Sequence, residues 1–318
     1  MSEMSLIEKL DLPIEAETYE VNHSELPDNS YILRMNPAQK IIYNPLLWGS
    51  ELRKYTEESN QIFLRAEQEI SPDFKDLRTD DICEVVVLRG GLGYRLDAAF
   101  EEVFNSYLPR CFVGARRHRV SGEDFRAEIS YTNFDPLPED GVIVMGDTIA
   151  TGSTLGRALA EVRDELRRRD HSVKKLVVFS IAAAFDGCSE LLEWEKRFRE
   201  WWPDFEIHLF VAEALFGLED GTHLRFRKPG EAIVPEKTRE QVNEIYGDYE
   251  ESYIPGNICA IFDWGDRNFK PDRHLEDVLK YVETSLEEAK DEKSIEVLRE
   301  LKKEANKELE EYKSKIGK

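Results

Sequence analysis

The sequence predicts an α/β protein built on a doubly wound, mostly parallel sheet. Two short apolar runs, residues 84–88 and 142–145, each lead into a glycine-containing turn and then into a segment with helical spacing of apolar residues. Further β-branched runs at residues 176–182 and 207–212 are separated by another amphipathic segment. Strands that alternate with helices in this way are typical of a parallel sheet covered on both faces.

Three regions follow from the pattern along the 318 residues. Residues 1–40 are mixed and acidic, and three prolines interrupt them, so we expect an extended N-terminal arm. Residues 41–272 form the expected α/β domain. Residues 273–318 are densely charged with apolar residues at steps of three and four, which predicts an amphipathic helical extension broken near residues 291–294. The pattern leaves open whether this extension packs on its own chain or on a partner subunit of a homo-oligomer.

Composition narrows the function classes. The net charge of −22 argues against nucleic acid or an anionic membrane as a partner, because binding either one relies on Lys and Arg. The N-terminus has neither a basic start nor an apolar core, and no apolar run is long enough to cross a bilayer, so we expect a cytoplasmic protein. The four cysteines form no CxxC pair and the six histidines show no zinc spacing, which favours buried, reduced thiols.

Residues 141–155, with the sequence GVIVMGDTIATGSTL, have the features of a phosphate-binding loop. The predicted strand ends at a loop that opens a helix, where unpaired N–H groups and the helix dipole favour an anion. Gly152 permits close approach of the backbone, and Asp147 is suited to accept hydrogen bonds from sugar hydroxyls. The loop therefore predicts a site for a phosphorylated sugar. The alternative is an N-capped helix, as found in any doubly wound fold.

This loop resembles the phosphoribosyl pyrophosphate (PRPP) signature of the type I phosphoribosyltransferases, with Gly146 at the first of its two acidic positions. Two other segments extend the resemblance: LRGGLG at residues 88–93, and YIPG at residues 253–256 followed by DWGDRNF at residues 263–269. Together and in this order the three motifs resemble uracil phosphoribosyltransferase, a glycosyltransferase of pyrimidine salvage.

The resemblance implies transfer of ribosyl phosphate from PRPP to uracil or a similar planar nitrogen base, giving UMP and diphosphate with uracil. It implies Mg²⁺ as the cofactor, with Asp147 as its nearest protein ligand. Asp147, Arg89 and Arg117 are the implied catalytic residues. The implied base contacts are Ile254, Trp264 and Gly265. The implied PRPP contacts are Arg89, Gly90, Gly91, Arg117, Asp147, Thr148, Ala150, Thr151, Gly152, Ser153, Thr154 and Asp263.

Several alternatives stay open at this level. Arg117 belongs to a basic cluster, residues 115–119, that is expected either to close over pyrophosphate as a mobile loop or to be a solvated loop. Residues 257–262 are inserted before Asp263, so the acceptor base is open, and Trp264 either stacks beside the base or packs in the core. Two other functions remain: a PRPP-dependent transferase with a different acceptor, and a non-catalytic regulator that senses PRPP or a nucleotide.

Overall fold

The structure is a computed structural model that describes residues 6–121, 124–219, 223–226, 232–247 and 263–317, with the backbone only for residues 116–121, 124–127, 219, 223 and 288. The strands are β1 Ile7–Leu10, β2 Glu17–Val21, β3 Asn29–Arg34, β4 Ile82–Leu88, β5 Arg110–Ser121, β6 Asp124–Asn133, β7 Asp140–Gly146, β8 Ser172–Ser180, β9 Ala183–Ala184, β10 Glu206–Ala212, β11 Leu215–Glu219 and β12 His223–Arg225. The α-helices are α1 Asn36–Ile42, α2 Gly49–Ile70, α3 Leu96–Phe104, α4 Ser153–Arg169, α5 Phe185–Arg199, α6 Glu236–Tyr246, α7 Trp264–Phe269, α8 Pro271–Glu288 and α9 Glu292–Lys315. Short 3₁₀ helices span Pro72–Asp76, Thr79–Asp81 and Gly90–Tyr94.

The main sheet confirms the predicted fold class. Its nine strands lie in the order β1-β2-β3-β10-β8-β7-β4-β5-β6, and pairing is parallel from β3 to β5. The chain leaves the adjacent strands β4 and β7 in opposite directions, toward β5 on one side and toward β8 and β10 on the other. In doubly wound sheets such a switch point leaves a crevice at the carboxyl ends of the strands, where ligands bind.

Helices cover both faces of the sheet, which explains the continuous apolar strands. On β7, Val142 and Val144 face the cluster formed with α1, α2 and α3, whereas Ile143 and Met145 face the cluster formed with α4 and α5. Each strand therefore needs apolar residues at consecutive positions rather than at alternate ones.

The expectation of an extended N-terminal arm is wrong. Strand β3 pairs in parallel with β10, and β2 and β1 continue the same sheet in antiparallel pairing. The prolines lie between these elements or at the start of a helix, so they do not prevent strand formation. Pro13 and Pro27 lie between strands, and Pro37 lies in the first turn of α1, where the missing N–H is not needed.

The C-terminal extension is a pair of helices that packs on its own chain. Val278 of α8 and Leu298 of α9 belong to the same core cluster as the residues of α2, and the rings of Trp48 and Tyr312 lie 5.4 Å apart. The helices separate where expected, and the side chain of Asp291 caps α9 by accepting a hydrogen bond from the Ser294 N–H at 2.7 Å.

The basic cluster at residues 115–119 is not a loop, because its backbone lies in β5. This strand pairs with β6 in antiparallel fashion, with Arg117 opposite Ala127. Cys83, Cys111 and Cys188 are free and buried, as expected. Within the described residues no helix is long and apolar enough to cross a membrane.

Candidate active site

A cavity of about 940 Å³ opens at the switch point between β4 and β7. Three separate segments that carry the sequence motifs meet there: the turn after β4, the loop after β7 and the start of α7. The lining residues from these segments include Arg89, Gly90, Asp147, Thr148, Ala150, Thr151, Gly152, Ser153, Thr154, Asp263, Trp264 and Gly265. The expected PRPP contacts with described side chains are thus brought to one cavity, except for Gly91.

The loop after β7 has the geometry of an anion site at the start of α4. Gly152 adopts φ +72°, a left-handed conformation that side chains rarely take, and α4 begins at the next residue. A Cβ at Gly152 would lie 2.8 Å from the Gly187 carbonyl oxygen. The hydroxyls of Thr151 and Ser153 are 2.8 Å apart. Hydroxyl donors and the first N–H groups of α4 therefore converge at one place.

Backbone hydrogen bonds hold this loop against the end of β8 and the residues that follow it. The Asp147 N–H donates to Phe179 O at 3.2 Å, and the Ile149 N–H donates to Ala182 O at 3.0 Å. Ala184 returns a hydrogen bond to Ile149 O at 2.7 Å. The loop is fixed before any ligand arrives, which reduces the entropy lost on binding.

Asp147 lies at the carboxyl end of β7 and is partly exposed to the cavity. Its Oδ1 accepts a hydrogen bond from the Thr148 N–H at 2.8 Å. Burial raises the pKa of Asp147 to about 7, although the Thr148 N–H opposes this change. A carboxyl group with such a pKa gains from a ligand that donates hydrogen bonds or brings a cation.

The turn after β4 lies directly on the loop after β7. A Cβ on Gly90 would be 3.3 Å from Asp147 Oδ1, so the two segments touch at this glycine. Gly91 is buried behind the turn, between the Val86 side chain and the Gly146 carbonyl. Arg89 projects from the turn with 57% of its side chain exposed. The turn therefore brings Arg89 to the same cavity that Asp147 lines.

Helix α7 forms the other wall of the cavity. Asp263 caps the helix by accepting a hydrogen bond from the Asp266 N–H at 2.7 Å. The Trp264 ring is buried against Tyr94, with ring centroids 5.3 Å apart, which favours core packing of the two alternatives for this tryptophan. Residues 264 and 265 line the cavity, as a role for their backbone requires.

Two expected site residues are not placed. Ile254 lies outside the described residues, as does the inserted segment 257–262, and for Arg117 only the backbone is described. Ser130 and Tyr131 of β6 and Leu224 of β12 also line the cavity, although no sequence motif points to them. Local sequence carries little signal for them. Each pairs with a neighbouring strand, β6 with β5 and β12 with β11, but their place at the cavity depends on how these strand pairs lie relative to the motif segments.

Comparison with known proteins identifies the family. The family model of uracil phosphoribosyltransferase matches residues 51–215, just over half of the chain, including the turn after β4 and the loop after β7. The chain belongs to the uracil phosphoribosyltransferase family. The chain is therefore a phosphoribosyltransferase by family, as its sequence motifs predict. No curated protein sequence matched the chain.

Solved structures with similarity to this family member include other phosphoribosyltransferases. The adenine phosphoribosyl transferase of Trypanosoma brucei is 13% identical over 67% of this chain and 95% of that chain, with a TM-score of 0.36. The hypoxanthine phosphoribosyltransferase of Trypanosoma cruzi is 18% identical over 61% and 93%, with a TM-score of 0.29. The hypoxanthine phosphoribosyltransferase of Staphylococcus aureus is 17% identical with a TM-score of 0.25, and the match covers 39% of this chain and only 64% of that one.

Proposed function

We propose that this phosphoribosyltransferase transfers ribosyl phosphate from PRPP to uracil or a similar planar nitrogen base and releases pyrophosphate. The observation that carries the proposal is the meeting of three motifs, far apart in sequence, around one cavity at the switch point. PRPP carries a phosphate, a sugar and a pyrophosphate group, and the cavity offers a suitable group for each one.

The loop from Thr151 to Thr154 is the proposed 5′-phosphate site, since its hydroxyls and the α4 N-terminus converge there. Asp147 is the proposed acceptor for the ribose hydroxyls. Arg89 and the backbone at Gly90 are the proposed pyrophosphate contacts, because a guanidinium fork suits phosphate oxygens. Gly91 is buried and supports the turn instead of contacting the substrate.

The chemistry asks for charge stabilisation rather than for a nucleophilic side chain. As the bond from ribose C1 to pyrophosphate lengthens, the sugar becomes cationic and the leaving group gains negative charge. Arg89 would stabilise the leaving group, and the Asp147 carboxylate the positive sugar. Arg117 is one of the expected catalytic residues, and its proposed role is that of a second cation at the leaving group.

The acidic residues of the cavity also fit Mg²⁺. Within the described part of the chain no group of three or more His, Cys, Asp or Glu side chains could hold a metal ion by itself. Mg²⁺ that arrives with substrate phosphates needs only one or two carboxylates, and Asp147 and Asp263 both line the cavity. Bound there, the ion would neutralise charge on the pyrophosphate group.

The test is release of pyrophosphate from PRPP and Mg²⁺ across a panel of nucleobases, with uracil included and a control without base. Release that depends on uracil supports the full proposal. Release with another base alone retains the transferase activity but replaces uracil as the acceptor. The inserted residues 257–262 and Ile254 would then be the first candidates for the altered base specificity. Binding of PRPP without release for any base contradicts the proposal and favours the regulator that senses PRPP.

We also propose that the protein acts in the cytoplasm on small molecules, because its net charge of −22 disfavours nucleic acid and anionic membranes as partners. Size-exclusion chromatography with light scattering would show whether it is a homo-oligomer. Fractionation of cells into cytosol and membranes would test the location, and recovery in the membrane fraction would contradict it.

A further inference from the structure

Asp266 lies behind the candidate active site in a fixed place. It is in the first turn of α7, and only 7% of its side chain is exposed. The next residue, Arg267, is fully buried and donates hydrogen bonds to the carbonyls of Leu47 at 2.7 Å and Asn44 at 2.6 Å, in the link between α1 and α2. These contacts anchor α7, so the Asp266 carboxylate has little freedom to move.

Three cationic side chains surround the Asp266 carboxylate at different distances. Lys270 Nζ and Arg273 Nε each lie 3.1 Å from one of its oxygens, whereas Arg89 Nη2 lies 3.8 Å from Oδ1. The two nearer cations compensate the buried negative charge. Arg89 is therefore attracted without a hydrogen bond, and its donors stay available for another anion.

The same carboxylate oxygen has spare capacity to accept a hydrogen bond. Asp266 Oδ1 is buried and, in the described part of the chain, is ion-paired with the Lys270 ammonium at 3.1 Å without the geometry of a hydrogen bond. Its nearest contacts there are the ammonium of Lys270 and the guanidinium of Arg89. A movement of about 1 Å would bring Arg89 within hydrogen-bond distance.

We propose that Asp266 is a positioning residue that acts through Arg89. It restricts the long, exposed Arg89 side chain to the rim of the cavity before the substrate arrives, so less rotamer entropy is lost when the guanidinium meets the pyrophosphate group of PRPP. The inference rests on the proposed function, because that function gives Arg89 its ligand. Lys270 and Arg273 keep the attachment loose by sharing the carboxylate.

A double-mutant cycle on PRPP binding tests the inference. Calorimetry with Mg²⁺ present would give the PRPP Kd of the full-length wild type, Asp266→Asn, Arg89→Ala and the double variant. We expect Asp266→Asn to weaken binding about fivefold when Arg89 is present, the effect of freeing one flexible side chain, and less than about twofold when Arg89 is absent. An equal loss in both backgrounds, or none in the first, would overturn the inference.

Two further variants keep the cycle decisive. Glu195→Gln is the matched control, because Glu195 is also a buried carboxylate, 3.1 Å from Arg199, but lies on α5 away from the cavity. It should leave the PRPP Kd unchanged. Asp266→Glu retains the charge and should weaken binding less than Asp266→Asn. If neither Asp266 variant folds, the residue is structural and the inference is wrong.

Turnover, measured separately, distinguishes failure of this inference from failure of the proposed function. A wild type that binds PRPP but releases no pyrophosphate with any base contradicts the proposed transferase, while the cycle in Kd still decides the role of Asp266. Normal turnover with additive losses in the cycle retains the transferase and rejects the positioning role. A wild type that does not bind PRPP overturns both.

Discussion

The ring of Tyr94 occupies the space that a side chain at Gly146 would need. A Cβ built at Gly146 would lie 2.8 Å from Tyr94 Cδ1 and 3.0 Å from both Tyr94 Cβ and Cγ. Tyr94 is fully buried, its hydroxyl accepts a hydrogen bond from the Ile181 N–H at 3.1 Å, and Asn60 donates to its carbonyl at 2.5 Å. The glycine at the first acidic position of the PRPP motif thus leaves room for the Tyr94 ring. Asp147 is the only carboxylate at the two acidic positions.

Restoring an acid at position 146 should therefore harm the protein. We expect Gly146→Asp to lower the free energy of unfolding by about 1 to 3 kcal/mol, because the new Cβ overlaps the Tyr94 side chain. Urea denaturation would measure the loss. In a Tyr94→Ala background the same substitution should cost less, since two of the three close contacts disappear, whereas Tyr94→Phe should give no relief. A fully stable Gly146→Asp protein would show that the ring moves aside freely.

The sequence predicts those features of the site that consecutive residues form, and it does not predict those that depend on residues far apart in the chain. The phosphate loop and its helix are recognisable because strand, turn and helix are consecutive in the sequence. The contacts of Asp147 with Phe179 and of Gly152 with Gly187 are not recognisable in this way, because those partners lie more than thirty residues away. The pairing of Gly146 with Tyr94, and the entry of Tyr131 into the cavity, depend on residues that the fold brings together from distant segments. Periodicity within one segment carries no record of such partners.

The pH dependence of stability should reveal the raised pKa of the partly buried Asp147 carboxyl. Its pKa in the folded protein is raised to about 7 from an ordinary value of 3.8, so the folded state holds the proton more tightly than the unfolded state. Stability then falls as pH rises from about 4 to about 7 and is level above that range. Asp147→Asn lacks this loss, and we expect it to gain about 1 to 3 kcal/mol over the wild type between pH 4 and pH 8.

Urea denaturation of both proteins at several pH values checks this expectation. Burial also raises the pKa of Glu84 to about 8 and that of Glu213 to about 7. These groups give the same trend in both proteins, so they cancel in the difference. A difference in unfolding free energy that does not change with pH would mean that Asp147 is ionised at an ordinary pKa.

Substitutions at Asp147 and at Trp264 should have different effects on turnover. Asp147→Asn removes a charge from the proposed sugar site and should reduce kcat/KM for PRPP by about 10²-fold or more. Trp264→Phe retains the backbone that lines the cavity and should change kcat/KM little, while lowering stability by about 1 kcal/mol through lost packing on Tyr94. Steady-state kinetics and thermal unfolding of both variants measure this, and equal losses of turnover would contradict the site as described.

The conformation of Gly152 gives a test of the phosphate loop with an internal control. Gly49 and Gly152 both have positive φ, +65° and +72°, but a Cβ at Gly49 would meet no atom within 4 Å, whereas one at Gly152 would lie 2.8 Å from the Gly187 carbonyl oxygen. Gly49→Ala should therefore cost about 1 kcal/mol from backbone strain alone and leave PRPP binding unchanged. Gly152→Ala should cost more stability and weaken PRPP binding at least about tenfold, because the loop must shift away from the start of α4. Thermal unfolding and calorimetry of the two variants compare them directly. Equal PRPP affinity in both would exclude the loop after β7 as the phosphate site.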